Sequence, residues 1–201
     1  MLAWIFDSGA ENNHSQQLSP EECARRMAAK GYEWAALEYD DPTFRPDVWY
    51  PQFHYWCLVH NVRPGVWFTQ GGELYKTPAD AHFAIAEVEG PGDLQGVTNV
   101  INGVGGGPLP ACSKAICTNF STLTRENCRP LIAAGFTCLT EAYMNQSPGM
   151  TPDAMDRNAR WLGWSTSQPV AGVYPVDGQP VPSYAEWADW PMVDYLGEYV
   201  L

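Results

Sequence analysis

The feature that most constrains this chain is an alternation: apolar runs of strand length and stretches of helical period follow one another along its 201 residues. A strand, a helix and a strand in that order require parallel pairing, because the helical crossover returns the chain to the same end of the sheet. The first unit has complete punctuation. Leu2 to Phe6 opens as a strand, and Ser19-Pro20-Glu21-Glu22 is a capping box with proline at the first helical position. A helix then runs to about Lys30, where Gly31 stops it. Glu21 with Arg25 and Glu22 with Arg26 have the i,i+4 spacing of ion pairs on its wet face, and Trp34 to Asp40 follows as a strand.

The phrase recurs. Phe53, Trp56, Cys57 and His60 fall at helical spacing, so His60 reads as a core or helix-end histidine, with Asn61 as the stop and Gly65 to Thr69 as the next strand. Then come the strand His82 to Glu89, a helix from about Asp93 to Ile101, and the strand Ala115 to Asn119. A helix ending near Ala134 is stopped by Gly135; the strand Phe136 to Tyr143 leads to the helix Pro152 to Leu162, stopped by Gly163, and to the strand Val170 to Tyr174. Ser183 with Glu186 opens a last helix, and Tyr195 to Val200 closes the series as a strand.

About eight strands at ~25 residues per unit, with no break in composition, predict one domain over residues 1–201. The expected class is α/β, a small (β/α)8 barrel, and an open doubly wound sheet is the alternative. The run from Gly103 to Pro108 lacks the Lys-Ser/Thr of a phosphate loop and reads as a flexible loop on the helix-to-strand side of the barrel.

Charge excludes several functions. The chain carries 23 acidic against 11 basic residues, a formal net charge of −12, and no basic run. Such a surface repels nucleic-acid phosphates and anionic lipid, so neither is expected as a partner. No apolar run approaches the length of a membrane span, and membrane insertion is not expected. The opening apolar run has no cationic lead and is cut by Asp7, so no secretory leader is expected. The six cysteines have irregular spacing, compatible with buried thiols or with one or more disulfides, and the four histidines are scattered. No metal and no cofactor are expected. A serine-nucleophile elbow, G-x-S-x-G, is missing as well.

A barrel carries its chemistry at the carboxyl ends of its strands, and here those ends are acidic. Asp7 ends the first predicted strand, Glu38 and Asp40-Asp41 the second, Glu87 and Glu89 the fourth, Glu141 the sixth. Residues i and i+2 of a strand share a face, which pairs Glu87 with Glu89 and Glu38 with Asp40. Carboxylates that converge in a partly desolvated cleft cannot all ionise, so one is driven to a raised pKa and becomes a general acid beside an ionised partner. Glycoside hydrolysis needs that pair. The plainer alternative is strand-end carboxylates bonded to loop amides or paired with a basic residue.

The neighbouring residues suit sugars. Trp49 and Tyr50 follow the second strand, Trp67 and Gln70 stand at the third, Asn119 ends the fifth, and Tyr143, Asn145 and Gln146 follow the sixth. Planar amides bond hydroxyls, and aromatic rings stack on pyranose faces. Trp49 and Trp67 are the candidate stacking platforms, whereas Trp4, Trp34 and Trp56 read as packing.

The run Phe83-Ala-Ile-Ala-Glu-Val-Glu89-Gly-Pro-Gly-Asp93, then Ala115 to Asn119, then Leu139-Thr-Glu-Ala-Tyr143 resembles the middle of lysozyme-type barrels of the GH25 muramidase kind. Phe6-Asp7-Ser8 is similar to that family's first-strand aspartate motif. The resemblance implies Glu89 as the catalytic acid, Glu87 as its neighbouring carboxylate and Asp7 as the first-strand acid. It also implies a phage setting, in a tail or released by host lysis, with cell-wall or surface polysaccharide and other virion tail proteins as partners. The family's first acid on the fourth strand is usually aspartate, where this chain has Glu87, and only Asp177 and Asp194 stand as candidates for its late-strand aspartate. Two functions remain open: an enzyme that cleaves polysaccharide with Glu89 and one of Glu87, Asp7 or Glu141, or a non-catalytic structural or receptor-binding module on the same barrel. Glu38, Trp49, Trp67, Asn119 and Tyr143 are the expected substrate contacts.

Overall fold

Eight parallel strands bond to one another in chain order, and the eighth pairs with the first, so the sheet is a closed barrel. The computed structural model describes residues 2–5, 19–29, 31–40, 46–141, 152–165, 167–171 and 193–196. The strands are β1 (Leu2–Ile5), β2 (Trp34–Glu38), β3 (Arg63–Phe68), β4 (Phe83–Glu87), β5 (Ser113–Thr118), β6 (Phe136–Glu141), β7 (Ser167–Ala171) and β8 (Val193–Leu196). The helices are α1 (Pro20–Ala29), α2 (Pro46–Val59), α3 (Pro91–Ile101), α4 (Arg125–Ala133) and α5 (Pro152–Leu162). The first six expected strands are present, several ending one or two residues earlier than their apolar runs; β7 and β8 begin three and two residues before the expected Val170 and Tyr195, and the later parts of those two expected strands lie outside the described residues. The helix expected after Ser183 lies outside the described residues.

Local chemistry accounts for the helix ends. Glu22 donates its backbone N–H to Ser19 Oγ at 3.2 Å, as the capping box requires. The expected pairing of Glu21 with Arg25 is replaced: Glu22 holds both Arg25 and Arg26 at 2.6 Å, because positions i+3 and i+4 share its helix face. The expected stops Gly31, Asn61, Gly135 and Gly163 all have positive φ.

The link from β3 to β4 is shorter than the other described crossovers. A 3-10 helix, Gly71–Lys76, takes the place of an α-helix and packs on α3. Their backbones meet at glycines: a Cβ on Gly96 would stand 2.6 Å from the Gly72 nitrogen. In the glycine-rich loop after α3, which lies on the helix-to-strand side as expected, Gly106 and Gly107 lie against the Tyr75 ring.

Strand alternation sorts the apolar side chains into two layers. Ala35, Leu37, Val66, Phe68, Ala84, Ala86, Ile116 and Cys138 join the inner faces of the helices in the larger core. Ala36, Trp67, Phe83, Ile85, Ala115, Cys117 and Leu139, with Trp34, fill the barrel interior. At its amino-terminal end Trp34 meets Phe83 edge-on at 5.4 Å, and the Arg63 guanidinium covers the Trp34 ring at 4.6 Å. This stack closes the bottom and leaves the carboxyl-terminal end as the mouth. All six cysteines are free thiols, five of them buried; burial pushes Cys23 up to about 12 and Cys128 up to about 11, which keeps both protonated and unreactive.

Large rings fit inside because small residues face them. A Cβ on Gly65 would lie 2.5 Å from three atoms of the Phe83 ring, itself pinned against Trp34. Gly65→Ala is therefore expected to cost about 1–3 kcal/mol in urea unfolding, and Phe83→Leu in the same chain to recover part of that loss. An unchanged unfolding midpoint for Gly65→Ala would refute the packing.

Candidate active site

The inward column of β4 runs Phe83, Ile85, Glu87, and that of β2 runs Trp34, Ala36, Glu38. Each column begins in aromatic packing and ends in a carboxylate, so the same alternation that fills the barrel brings acids to its mouth. Register sets Glu38 opposite Trp67 and Glu87 opposite Cys117. Glu38 is buried, at 6% exposure, and Trp67 is fully buried.

Trp67 has a polar edge, and it is used. Its indole Nε1–H donates to Glu87 Oε2 at 3.2 Å. Burial against this wall pushes the Glu87 carboxyl from its ordinary 4.5 up to about 7. The indole N–H opposes that shift by favouring the ionised form, while the negative charges of Glu89, Asp93 and Asp40 add to it. Glu87 therefore exchanges a proton near neutrality, which suits a general acid or base.

The rim around Glu87 is tied together by hydrogen bonds. Asp40 accepts from Thr69 N at 3.0 Å, from Thr69 Oγ1 at 3.2 Å and from Gln70 N at 2.5 Å, which fastens the chain after β2 to the chain after β3. Burial raises the Asp40 pKa, and these donors work against the rise. Asp93 Oδ2 accepts from the backbone N–H of Gly90 at 2.9 Å and of Glu89 at 3.3 Å, while Ser121 Oγ donates to the Glu89 carbonyl at 2.8 Å. The backbone of Glu89 is thus held from both sides, and its side chain is exposed.

The expected site residues separate accordingly. Glu87 and Glu38 lie at the mouth, and Glu89 stands beyond the end of β4 in water. Glu141 takes the last register position of β6, two residues past Leu139 and paired with Val170. Asp7, Tyr143 and Asp177 lie outside the described residues; Asp194 is in β8, in register with Ala3 and Ala171. Asn119 is half-buried, and its Oδ1 accepts from Ser121 N at 3.0 Å, shaping the turn after β5.

Both stacking platforms need correction. Trp67 exposes no face on which a sugar could stack, because the closed barrel needs its volume inside. Trp49 packs in the outer layer, stacked on Phe53 at 5.3 Å and 26°. What sequence reasoning missed is the role of Trp67 as the hydrogen-bond donor to Glu87, and the place of Cys117 on the floor of the mouth. The i+2 step from Ala115 through Cys117 to Asn119 was the available signal for the cysteine. Among the described residues no three His, Cys, Asp or Glu side chains are grouped to hold a metal ion. No helix among them is long and apolar enough to cross a membrane.

Comparison with known protein families and with curated proteins found no match. Among solved structures, D-psicose 3-epimerase from Clostridium cellulolyticum H10, determined with D-tagatose, superposes on 100% of this chain and 88% of its own, with a TM-score of 0.53 and 11% identity. The fold is a (β/α)8 barrel. At that identity the likeness concerns the fold alone.

The Glu87 environment has a consequence for stability. Its native pKa lies above the ordinary value, so its contribution is complete below about pH 4.5 and is lost as pH rises through about 7. Glu87→Gln is expected to match wild type at low pH and to gain up to about 3 kcal/mol over it by pH 8, read by denaturant unfolding at the two pH values. Trp67→Phe removes the donor to the ionised carboxylate, so an NMR titration should find the Glu87 pKa still higher; a fall would show that the indole does not stabilise the anion.

Proposed function

We propose that this barrel is a carbohydrate-active enzyme of glycoside-hydrolase-like kind, acting on bacterial cell-wall or surface polysaccharide, with Glu87 as its proton-bearing group. The observation that carries this reading is the Glu87 carboxyl at the mouth, half-buried, bonded to Trp67 and pushed by burial up to about 7. The protonated carboxyl donates to the glycosidic oxygen as the bond to the anomeric carbon breaks, and an ionised carboxylate on another strand takes the nucleophile or base role. Glu38, buried on β2, and Glu141, at the end of β6, are the partners that the barrel offers. The resemblance drawn from sequence gives the acid role to Glu89, whose side chain is exposed beyond the end of β4; Glu87 is the carboxyl that faces the barrel interior and is held by Trp67, which favours Glu87. The same proposal includes a phage tail or host-lysis setting, with other virion tail proteins as partners.

A second reading has one observation in its favour. A carboxyl pushed by burial toward neutrality also suits proton transfer at a sugar carbon, the chemistry of an epimerase. Product analysis separates the two, since hydrolysis releases new reducing ends from purified cell wall whereas epimerisation interconverts free ketoses.

Glu87→Gln is expected to lower reducing-end release from purified cell wall by about 10²–10⁴-fold with the fold retained by circular dichroism. Wild-type activity should decline as pH rises above about 7, where the acid loses its proton. Undiminished activity in the variant removes Glu87 from the mechanism. A wild-type chain that binds cell wall and releases nothing fits the non-catalytic module.

A further inference from the structure

The positive charge of the molecule has an unusual address. Four of its 11 basic side chains, Arg125, Arg129, Arg157 and Arg160, belong to α4 and α5, although the whole chain carries −12. Three of them line a cleft of about 440 Å³ between the two helices, together with Trp161 and Ile132. That volume lies in the range of small-ligand sites. The repulsion of distant carboxylates is screened over about 8 Å in physiological salt, and the carboxylate close by, Asp156, is paired with Arg160, which leaves Arg125 and Arg129 as the cleft's uncompensated charges among the described residues.

Each wall residue has a defined state. Arg125 donates from Nε to the Trp161 carbonyl at 2.5 Å and lies over the Trp161 ring at 5.1 Å, which fixes the indole. Trp161 is nonetheless 62% exposed, an aromatic surface that the fold does not bury. Arg160 uses Nε on Asp156 Oδ2 at 2.6 Å, which leaves its terminal nitrogens as donors. Arg129 is exposed and makes no ion pair or hydrogen bond among the described residues. A guanidinium in that state offers a planar fork that matches a phosphate or carboxylate, and an adjacent open indole matches the apolar face of a sugar ring.

We propose that the cleft between α4 and α5 binds a sugar unit bearing a phosphate or a carboxylate, with Arg129 and Arg160 holding the anion and Trp161 stacking on the ring. The choice of a sugar rests on the carbohydrate reading above and extends it: the helix layer holds an anionic unit of the same class of polymer, away from the barrel mouth. Arginines supply the affinity and the indole the selectivity for a sugar over a bare anion.

The test is isothermal titration of the full chain at low ionic strength with glucose 1-phosphate, glucuronate, inorganic phosphate and glucose. The expected result is that glucose 1-phosphate and glucuronate bind at least about ten-fold more tightly than either inorganic phosphate or glucose. Arg129→Gln should weaken both by about ten-fold or more with an unchanged thermal midpoint, and Trp161→Ala should abolish the preference for the sugar phosphate over inorganic phosphate. Glu87→Gln should bind as wild type. Equal binding by Arg129→Gln, inorganic phosphate as tight as the sugar phosphate, or loss of binding in Glu87→Gln each overturns the proposal. Because no turnover is involved, failure of the catalytic reading would leave this binding result standing, and the reverse holds too.

Discussion

Closing a sheet into a barrel leaves an interior of fixed width that side chains must fill, and Trp67 filling it is the contact on which the mouth depends. The ring is accommodated in an interior where Ala36, Gly65 and Ala115 are small. In that position its one polar atom reaches Glu87, and its apolar body takes water away from the same carboxyl. Packing and acid–base behaviour are therefore one arrangement: the indole that completes the core also sets the environment of the group at the top of it. The lower end, sealed by Arg63 over Trp34 and by Phe83, leaves the carboxyl-terminal face as the place where such an environment can meet a solute.

The scarcity of cations shapes the rest of the mouth. With 11 basic residues in the chain, Asp40 and Asp93 are satisfied by other means. Asp40 is served by amide and hydroxyl donors from the next loop, and Asp93 by two backbone N–H groups. Both act as ties that hold the rim. Glu87 has an indole N–H and burial, and so is left able to take up a proton. The arginines described are used elsewhere, on the Glu22 pairs of α1, over Trp34 at the lower end of the barrel and along the α4–α5 cleft.

Periodicity and punctuation made the barrel legible, because a strand–helix alternation has few parallel solutions and the caps and glycine stops lie within a few residues of the elements they bound. Helix α5 was readable end to end from Pro152 and Gly163. The connection through Gly71–Lys76 had no such signature, since a 3-10 turn carries no apolar period and its fit depends on Gly96 meeting Gly72. The acids at the strand ends were readable by their position. Their division into exposed Glu89, mouth-facing Glu87 and rim-tying Asp40 was not, because it depends on where β4 stops and on partners 20 to 30 residues away. Trp67 was misjudged for the same reason, as a tryptophan at a strand end looks alike whether it fills a core or faces a ligand.

By itself, the order of residues determined the eight-strand alternation, the parallel pairing that follows from it and the acidic strand ends. These are local or statistical properties, written in spacing and side-chain type. Only the tertiary structure decided which carboxyl is desolvated, that Trp67 is its hydrogen-bond donor, and that arginines distant from one another in α4 and α5 line one cleft. A pKa and a cleft are properties of distance and dielectric between residues far apart in the chain, and those quantities come into being only when the barrel closes.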